Sequence, residues 1–241
     1  MKKKTLLMRA HLLIGFVGLI IFFHGCVPYF KLSKSEFPQG KELDIKQLAV
    51  TNQYLKSSTI YNKYATLAIF DVLLLADSVR NAYVNLNSQK TGKSQTSKEA
   101  LLNRQLEENK HWISFYVLAD IRQLCNENMN EKNPLWTVYL DLGKNRRVES
   151  ESVKEVELDP EYRFFFGTKI NSFKTAYLVQ FPAIDVEGNN YLTDCTIIKL
   201  AICSVDRSCE FVWNLSDIQM SLANIAKSKK KVEKDEDFYW G

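Results

Sequence analysis

Asp71 stands inside Leu67-Ala68-Ile69-Phe70-Asp71-Val72-Leu73-Leu74-Leu75, a carboxylate in an otherwise unbroken apolar run. Burying a lone carboxylate costs several kcal/mol, so this one needs a cationic or backbone partner, a retained proton, or a place in a site. Arg122 is a candidate partner, and a catalytic role would need a second titratable group within reach; an enzyme would draw on scattered carboxylates such as Asp71 or Asp120. Of three histidines, His11 and His24 lie near the N-terminus, which leaves His111 alone in the rest of the chain. One imidazole cannot make a multi-histidine metal site, and no Ser or Cys, His and Asp order suggests a nucleophilic triad. Beside Trp112, His111 reads as a helix-surface residue. Gly92-Lys93-Ser94 ends like a phosphate-binding loop, but that motif needs a glycine where Asn87 stands and a strand before it, so a solvated linker is expected. The run Tyr162-Arg163-Phe164-Phe165-Phe166 suits either a stacking or sugar-binding surface or a central strand covered on both faces. No catalytic residue, metal ligand set or cofactor motif is assigned.

Cysteines add one structural possibility. Cys203 and Cys209 flank Ser204-Val205-Asp206-Arg207-Ser208, which reads as a hairpin turn between two apolar strands. Opposed residues in such a hairpin come close enough for a disulfide; the alternative is two buried thiols. With Cys195 the spacing is C-x7-C-x5-C, which lacks the paired short spacings of zinc sites, and no histidine is near.

The N-terminus speaks to address. Lys2, Lys3, Lys4 and Arg9 precede an apolar run from Ala10 to Phe23. A bilayer-crossing helix needs about 20 apolar residues, so this run is short for a permanent span and matches a secretory signal peptide. It ends in Phe23-His24-Gly25-Cys26, which resembles the lipobox of bacterial lipoproteins, with Gly25 and Cys26 matching and Phe23 and His24 departing from the usual leucine and small residue. The resemblance is confined to residues 1–26 and implies that Cys26 is lipidated and becomes the mature N-terminus, anchored to a membrane of the bacterial cell envelope. The alternative is a secretory or retained signal anchor in which Cys26 is an ordinary cysteine.

Charge follows from the same reading. The first 25 residues hold four of the 32 Lys and Arg and none of the 28 Asp and Glu, so the remainder is balanced at 28 of each. Binding to nucleic acid through phosphate neutralisation has no global support in a neutral chain. Five lysines between Lys227 and Lys234 are offset by Glu233, Asp235, Glu236 and Asp237, as in a solvated tail.

The elements that must position these residues follow from hydrophobic periodicity. Residues 26–57 read as a tether containing a short helix at about 44–55. The spacing of Tyr61, Ala65, Ala68, Val72, Leu75, Val79 and Leu86 predicts a helix over 59–86, apolar almost all round near its middle. After a polar loop, Thr96 and Glu99 form a capping-box pattern, and Leu102, Leu106, Ile113, Val117, Ile121 and Leu124 extend a second helix. Together these make a helical hairpin over 58–130. From Leu135 the period falls to two. Strands are predicted at 135–142, 153–158, 162–166, 174–181, 196–203 and 209–215, separated by Gly143, Asp159-Pro160, Gly167 and Gly188-Asn189-Asn190. Ser216-Asp217-Ile218-Gln219 opens a short last helix. The expected fold is therefore α+β, with an N-terminal α-helical hairpin, then an antiparallel β-sandwich of about six strands with a terminal helix over 134–226, and a charged tail over 227–241. The expected function is that of a membrane-anchored envelope lipoprotein serving as a binding or assembly module, with membrane lipid at its N-terminus and an envelope protein as partner through loops or an edge strand. The alternatives are an enzyme acting on an envelope polymer through carboxylates such as Asp71, and a structural spacer.

Overall fold

The computed structural model describes residues 38–63, 65–122, 129, 135–143, 146–185, 187–192 and 195–216. Cys26, Cys125, the terminal helix beyond Ser216 and the charged tail lie outside these residues. The chain divides into two units, Met1–Leu43 and Asp44–Gly241, and the description that follows concerns the second. Among the described residues no helix is long and apolar enough to cross a membrane.

The apolar run around Asp71 is a strand, which corrects the helix expected over 59–86. After helix α1 (Pro38–Thr51), the chain forms β1 (Leu55–Asn62) and β2 (Ala65–Leu74), paired antiparallel. Helices α2 (Asp77–Thr91) and α3 (Gln95–His111) follow, and then β3 (Trp112–Ile121). A strand covered on both faces and a helix buried on all sides both read as a continuous apolar run. Here the Ile, Val and Phe content of Leu67–Leu75 and of Trp112–Ile121 favours the pleated form. The second expected helix accordingly stops at His111. Its cap is Ser94, whose hydroxyl accepts from the Ser97 amide at 3.3 Å, rather than Thr96.

The strands expected after Leu135 fall where period two placed them, with one exception. They are β4 (Thr137–Asp141), β6 (Ser152–Glu155), β7 (Thr175–Pro182), β8 (Ile197–Cys203) and β9 (Ser208–Asn214), and the short β5 (Arg147–Glu149) precedes β6. The exception is 162–166, which belongs to helix α4 (Pro160–Phe166), followed by a single 3-10 turn. Pro160 occupies the first turn of α4, where a missing amide costs nothing, so Asp159-Pro160 starts a helix instead of a turn between strands.

All strand pairings among the described residues are antiparallel. One sheet has five strands in the order β1-β2-β3-β7-β6, and the other has four in the order β5-β4-β8-β9. The fold is thus α+β with two antiparallel sheets. Its helix pair is inserted between β2 and β3 and does not precede the sheets, and segments 58–130 and 134–226 share the larger sheet through β3 and β7.

Alternation divides the larger sheet into two faces. Phe70, Val72, Phe115, Val117, Tyr177 and Val179 lie on one face, all fully or nearly fully buried. This face packs on the second sheet, with Phe115 against Trp213 (centroids 5.4 Å apart) and Phe70 against Trp136 (5.3 Å). Side chains of this size contribute about 1.5–3 kcal/mol each on burial. The edges β1 and β9 lie side by side. The Trp213 indole donates to the Tyr54 carbonyl at 2.8 Å, and Arg207 reaches Asn62 at 3.5 Å. The opposite face of the larger sheet carries Asp71, Leu73, Ser114, Tyr116, Asp120 and Gln180, and it supports the site described next.

Candidate functional site: a polar chamber beneath the helix pair

Three helices cover part of that second face and leave a cavity of about 180 Å³ against β3 and β7. The register of β3 and β7 pairs Ser114 with Gln180 and Tyr116 with Leu178, which places all four side chains on its floor. Arg80 and Tyr83 come from α2, Gln105 and Glu108 from α3, and Tyr162 from α4, with Asp159 just before it. Gly92 makes the arrangement of α2 and α3 possible. It ends α2 in the left-handed conformation (φ 63°, ψ 30°) and donates to the Ser88 carbonyl, and two residues later Ser94 caps α3. The segment that resembled a phosphate loop is this turn between helices.

Arg80 organises the chamber. Its side chain is 3% exposed, and it donates through Nε to Asn109 at 2.5 Å and through Nη1 to Gln105 and Glu108, each at 2.7 Å. Asn109 in turn donates to Asp77 at 2.7 Å, so the start of α2 is tied to the end of α3 by a second bond. The Tyr83 hydroxyl donates to Asp159 at 2.9 Å, and the Tyr83 ring stacks on Tyr162 with centroids 4.5 Å apart at 8°. Tyr116 meets the Tyr162 ring edge-on at 4.8 Å. Burial and the nearby negative charge of Asp159 push the Tyr116 phenol up to about 12. Burial, with Asp159 second, raises Tyr83, and burial raises Tyr162. All three hydroxyls therefore keep their protons at neutral pH and act as donors. Ser114 is 2% exposed, and its hydroxyl has no hydrogen-bond partner among the described residues. Leaving a buried hydroxyl unsatisfied costs about 1–3 kcal/mol, which a bound molecule would recover.

Of these residues, only Tyr162 was singled out by sequence, as part of an aromatic run. Arg80 carries a readable signal. It lies between Val79 and Tyr83 on the buried face of α2, a charge on an apolar stripe, which is the argument that drew attention to Asp71. Gln105, Glu108 and Asn109 share one face of α3 by spacing, but polar residues on a helix ordinarily face water, so nothing marked theirs as the inward face.

Asp71 itself is structural. Its carboxylate accepts from the Ser57 hydroxyl at 2.5 Å and Lys174 at 2.5 Å, with Lys169 at 3.2 Å, and Arg122 is not its partner. Burial pushes its pKa up, but the hydrogen bonds from Lys174 and Ser57 and the charges of Lys174 and Lys169 outweigh burial and hold it below the usual carboxylate range. Lys169 also donates to Ser57 at 2.7 Å. A serine between a lysine and an aspartate has the residue types of a nucleophile with its base. Here Asp71, held below the usual carboxylate range, is a weakened base, and both lysines are committed to ion pairs with it. Arg122 pairs with the buried Asp120 at 3.0 Å. His111 is exposed at the end of α3 with Glu107 at 3.9 Å, a surface residue as expected.

The bridge expected between Cys203 and Cys209 is absent, and Cys195, Cys203 and Cys209 are free thiols. The hairpin register sets Cys203 opposite Ser208 and Ile202 opposite Cys209, so the two cysteines are offset by one residue and fall on opposite faces of the sheet. Among the described residues no group of three His, Cys, Asp or Glu converges as a metal site would require. Among the described residues, the outer strands β5 and β6 are three and four residues long and carry Arg147, Glu149, Lys154 and Glu155, which is poor material for adding a partner strand.

No protein-family model and no curated protein sequence matches the chain. Among solved structures, a protein of unknown function from Burkholderia pseudomallei K96243 aligns over 73% of this chain and 86% of its own, at 10% identity and a TM-score of 0.38.

Proposed function

We propose that this chain is a membrane-anchored envelope lipoprotein acting as a binding module, with the chamber beneath α2 and α3 as its ligand site. The observation that carries the binding role is the chamber itself: an arginine held rigid by three bonds, three protonated tyrosines and an orphaned serine hydroxyl around one cavity. Buried polar groups that converge on a cavity, with one unsatisfied, fit a site shaped for a small polar molecule. The enzyme reading is weaker, because Asp71 and Asp120 are each committed to ion pairs. The anchor rests on the lipobox-like Phe23-His24-Gly25-Cys26 alone. A protein partner is favoured by one separate observation: Tyr61, at the end of β1, is 59% exposed and Val205, in the turn between β8 and β9, is 94% exposed, the two segments being joined by the Arg207–Asn62 contact.

NMR with the mature, isotopically labelled chain tests the binding role. A library of small polar molecules should yield binders that shift the amide signals of Ser114, Tyr116 and Tyr162 together, and a library that moves none of them refutes the site. Metabolic labelling with palmitate tests the anchor: the wild type should take up label, and Cys26→Ser should not; label retained in Cys26→Ser would refute it.

A further inference from the structure

We infer that the group taken up by the chamber is uncharged and rich in hydroxyls, a single sugar ring or small polyol, and that the chamber does not take a small anion or amine. This rests on the reading of the chamber as a ligand site and adds the chemical class of its occupant.

Charge is the first argument. The lining holds one guanidinium and two carboxylates, and each is already engaged: Arg80 with Glu108 at 2.7 Å, and Asp159 with the Tyr83 hydroxyl at 2.9 Å. An anion entering this space would face Glu108 and Asp159, and a cation would face the buried Arg80. Either would leave a poorly solvated charge without a clean partner. A neutral molecule meets neither penalty.

Hydrogen-bonding capacity is the second. The bonds from Arg80 use Nε and Nη1, and Nη2 takes part in none of them. Likewise Glu108 and Asp159 each use one carboxylate oxygen, Oε2 and Oδ2, in the bonds described. Ser114 offers a hydroxyl that both gives and accepts, and Tyr116 offers a protonated phenol. Donors and acceptors are therefore interspersed around one small volume. A carboxylate or phosphate can use only the donors, and an ammonium only the acceptors; a hydroxyl uses both at once.

Shape is the third. Leu75 and Leu178 give the chamber apolar walls beside the tyrosine rings, which suits a ring that carries C–H groups on its faces and hydroxyls at its rim. A cavity of about 180 Å³ is of a size to take one small polar ring or polyol.

Titration of the mature chain, followed by NMR, with glucose, N-acetylglucosamine, glycerol, acetate and methylamine decides the matter. At least one of the three hydroxyl-bearing probes should shift the Ser114, Tyr116 and Tyr162 amides in a saturable way, and acetate and methylamine should not. Tyr116→Phe keeps the ring and removes one donor, and should weaken that binding by about fivefold to tenfold. Ser114→Leu fills the cavity and should abolish it, with its circular dichroism spectrum checked for a retained fold. Saturable shifts from acetate or methylamine with the hydroxylated probes silent would overturn the inference and leave the ligand site standing. Silence from all five probes would remove the inference and count against the ligand site as well.

Discussion

Replacing Asp71 by asparagine removes the charge that balances Lys174, whose side chain is 7% exposed, while leaving the shape almost unchanged. Removing one member of a buried pair strands the other, at a cost of about 3–5 kcal/mol. The more exposed Lys169, at 37%, adds no more than about 1 kcal/mol. A loss of about 4 kcal/mol, at a urea slope near 2 kcal/mol per M, moves the midpoint down by about 2 M. The effect should also depend on pH with a definite sign. Because Asp71 is held below its ordinary range in the folded state, its stabilisation is complete above the unfolded value of about 3.9 and disappears as pH falls through the lower folded value. Wild type and Asp71→Asn should therefore differ fully above about pH 5 and approach each other only as pH falls below about 4 toward the folded value. The double variant Asp71→Leu with Lys174→Met, which removes both charges, should be more stable than Asp71→Asn alone. Urea melts of the three proteins from pH 3 to pH 8 measure all of this. A midpoint shift for Asp71→Asn worth less than about 1 kcal/mol, or a double variant less stable than the single one, would refute the account of Asp71 as a buried structural ion.

Three further outcomes follow from the same reasoning. Arg80→Leu should destabilise the chain by about 2–4 kcal/mol in urea melts, since it removes three bonds from a buried guanidinium to the half-buried Gln105 and Asn109 and to Glu108. Gly92→Ala should cost about 1 kcal/mol by the same measurement; a Cβ there meets nothing within 4 Å, so the penalty comes from the left-handed backbone alone. Burial pushes the Cys209 thiol up to about 12, so iodoacetamide at pH 8 should alkylate Cys195 and Cys203 well before Cys209, as read by peptide mass spectrometry; equal rates would contradict the burial of Cys209.

How much of this could be read from residue order varies with how each strand is covered. The later strands were legible because alternation survives in them: β9 runs exposed and buried by turns from Ser208 to Asn214. Strands β2 and β3 were not, because one face lies on the second sheet and much of the other under helices, so both faces became largely buried and the polar alternation that marks a half-exposed strand was lost. Helix α4 was hidden by its own aromatics, which favour strands in isolation; Pro160 at its start was the signal that mattered. At the site, the buried charge of Asp71 was legible, but its partners Lys169 and Lys174 arrive from about a hundred residues away, which no local pattern encodes. The chamber was mostly illegible for the same reason, since it gathers side chains from three helices and two strands that meet only in the folded chain.

Helix α3 buries none of its residues, whereas its partner α2 buries Val79, Ala82, Val84 and Leu86. The two helices are the same kind of element but belong to different levels of the free-energy landscape. Lifting α3 breaks mainly the polar bonds to Arg80 and uncovers little apolar surface, so its amides should exchange with deuterium through a local opening that depends only weakly on denaturant. The amides of β2 and β3 should wait for global unfolding. Salt should accelerate the first process and barely touch the second, because the ion pair from Glu108 reaches the surface and the core does not.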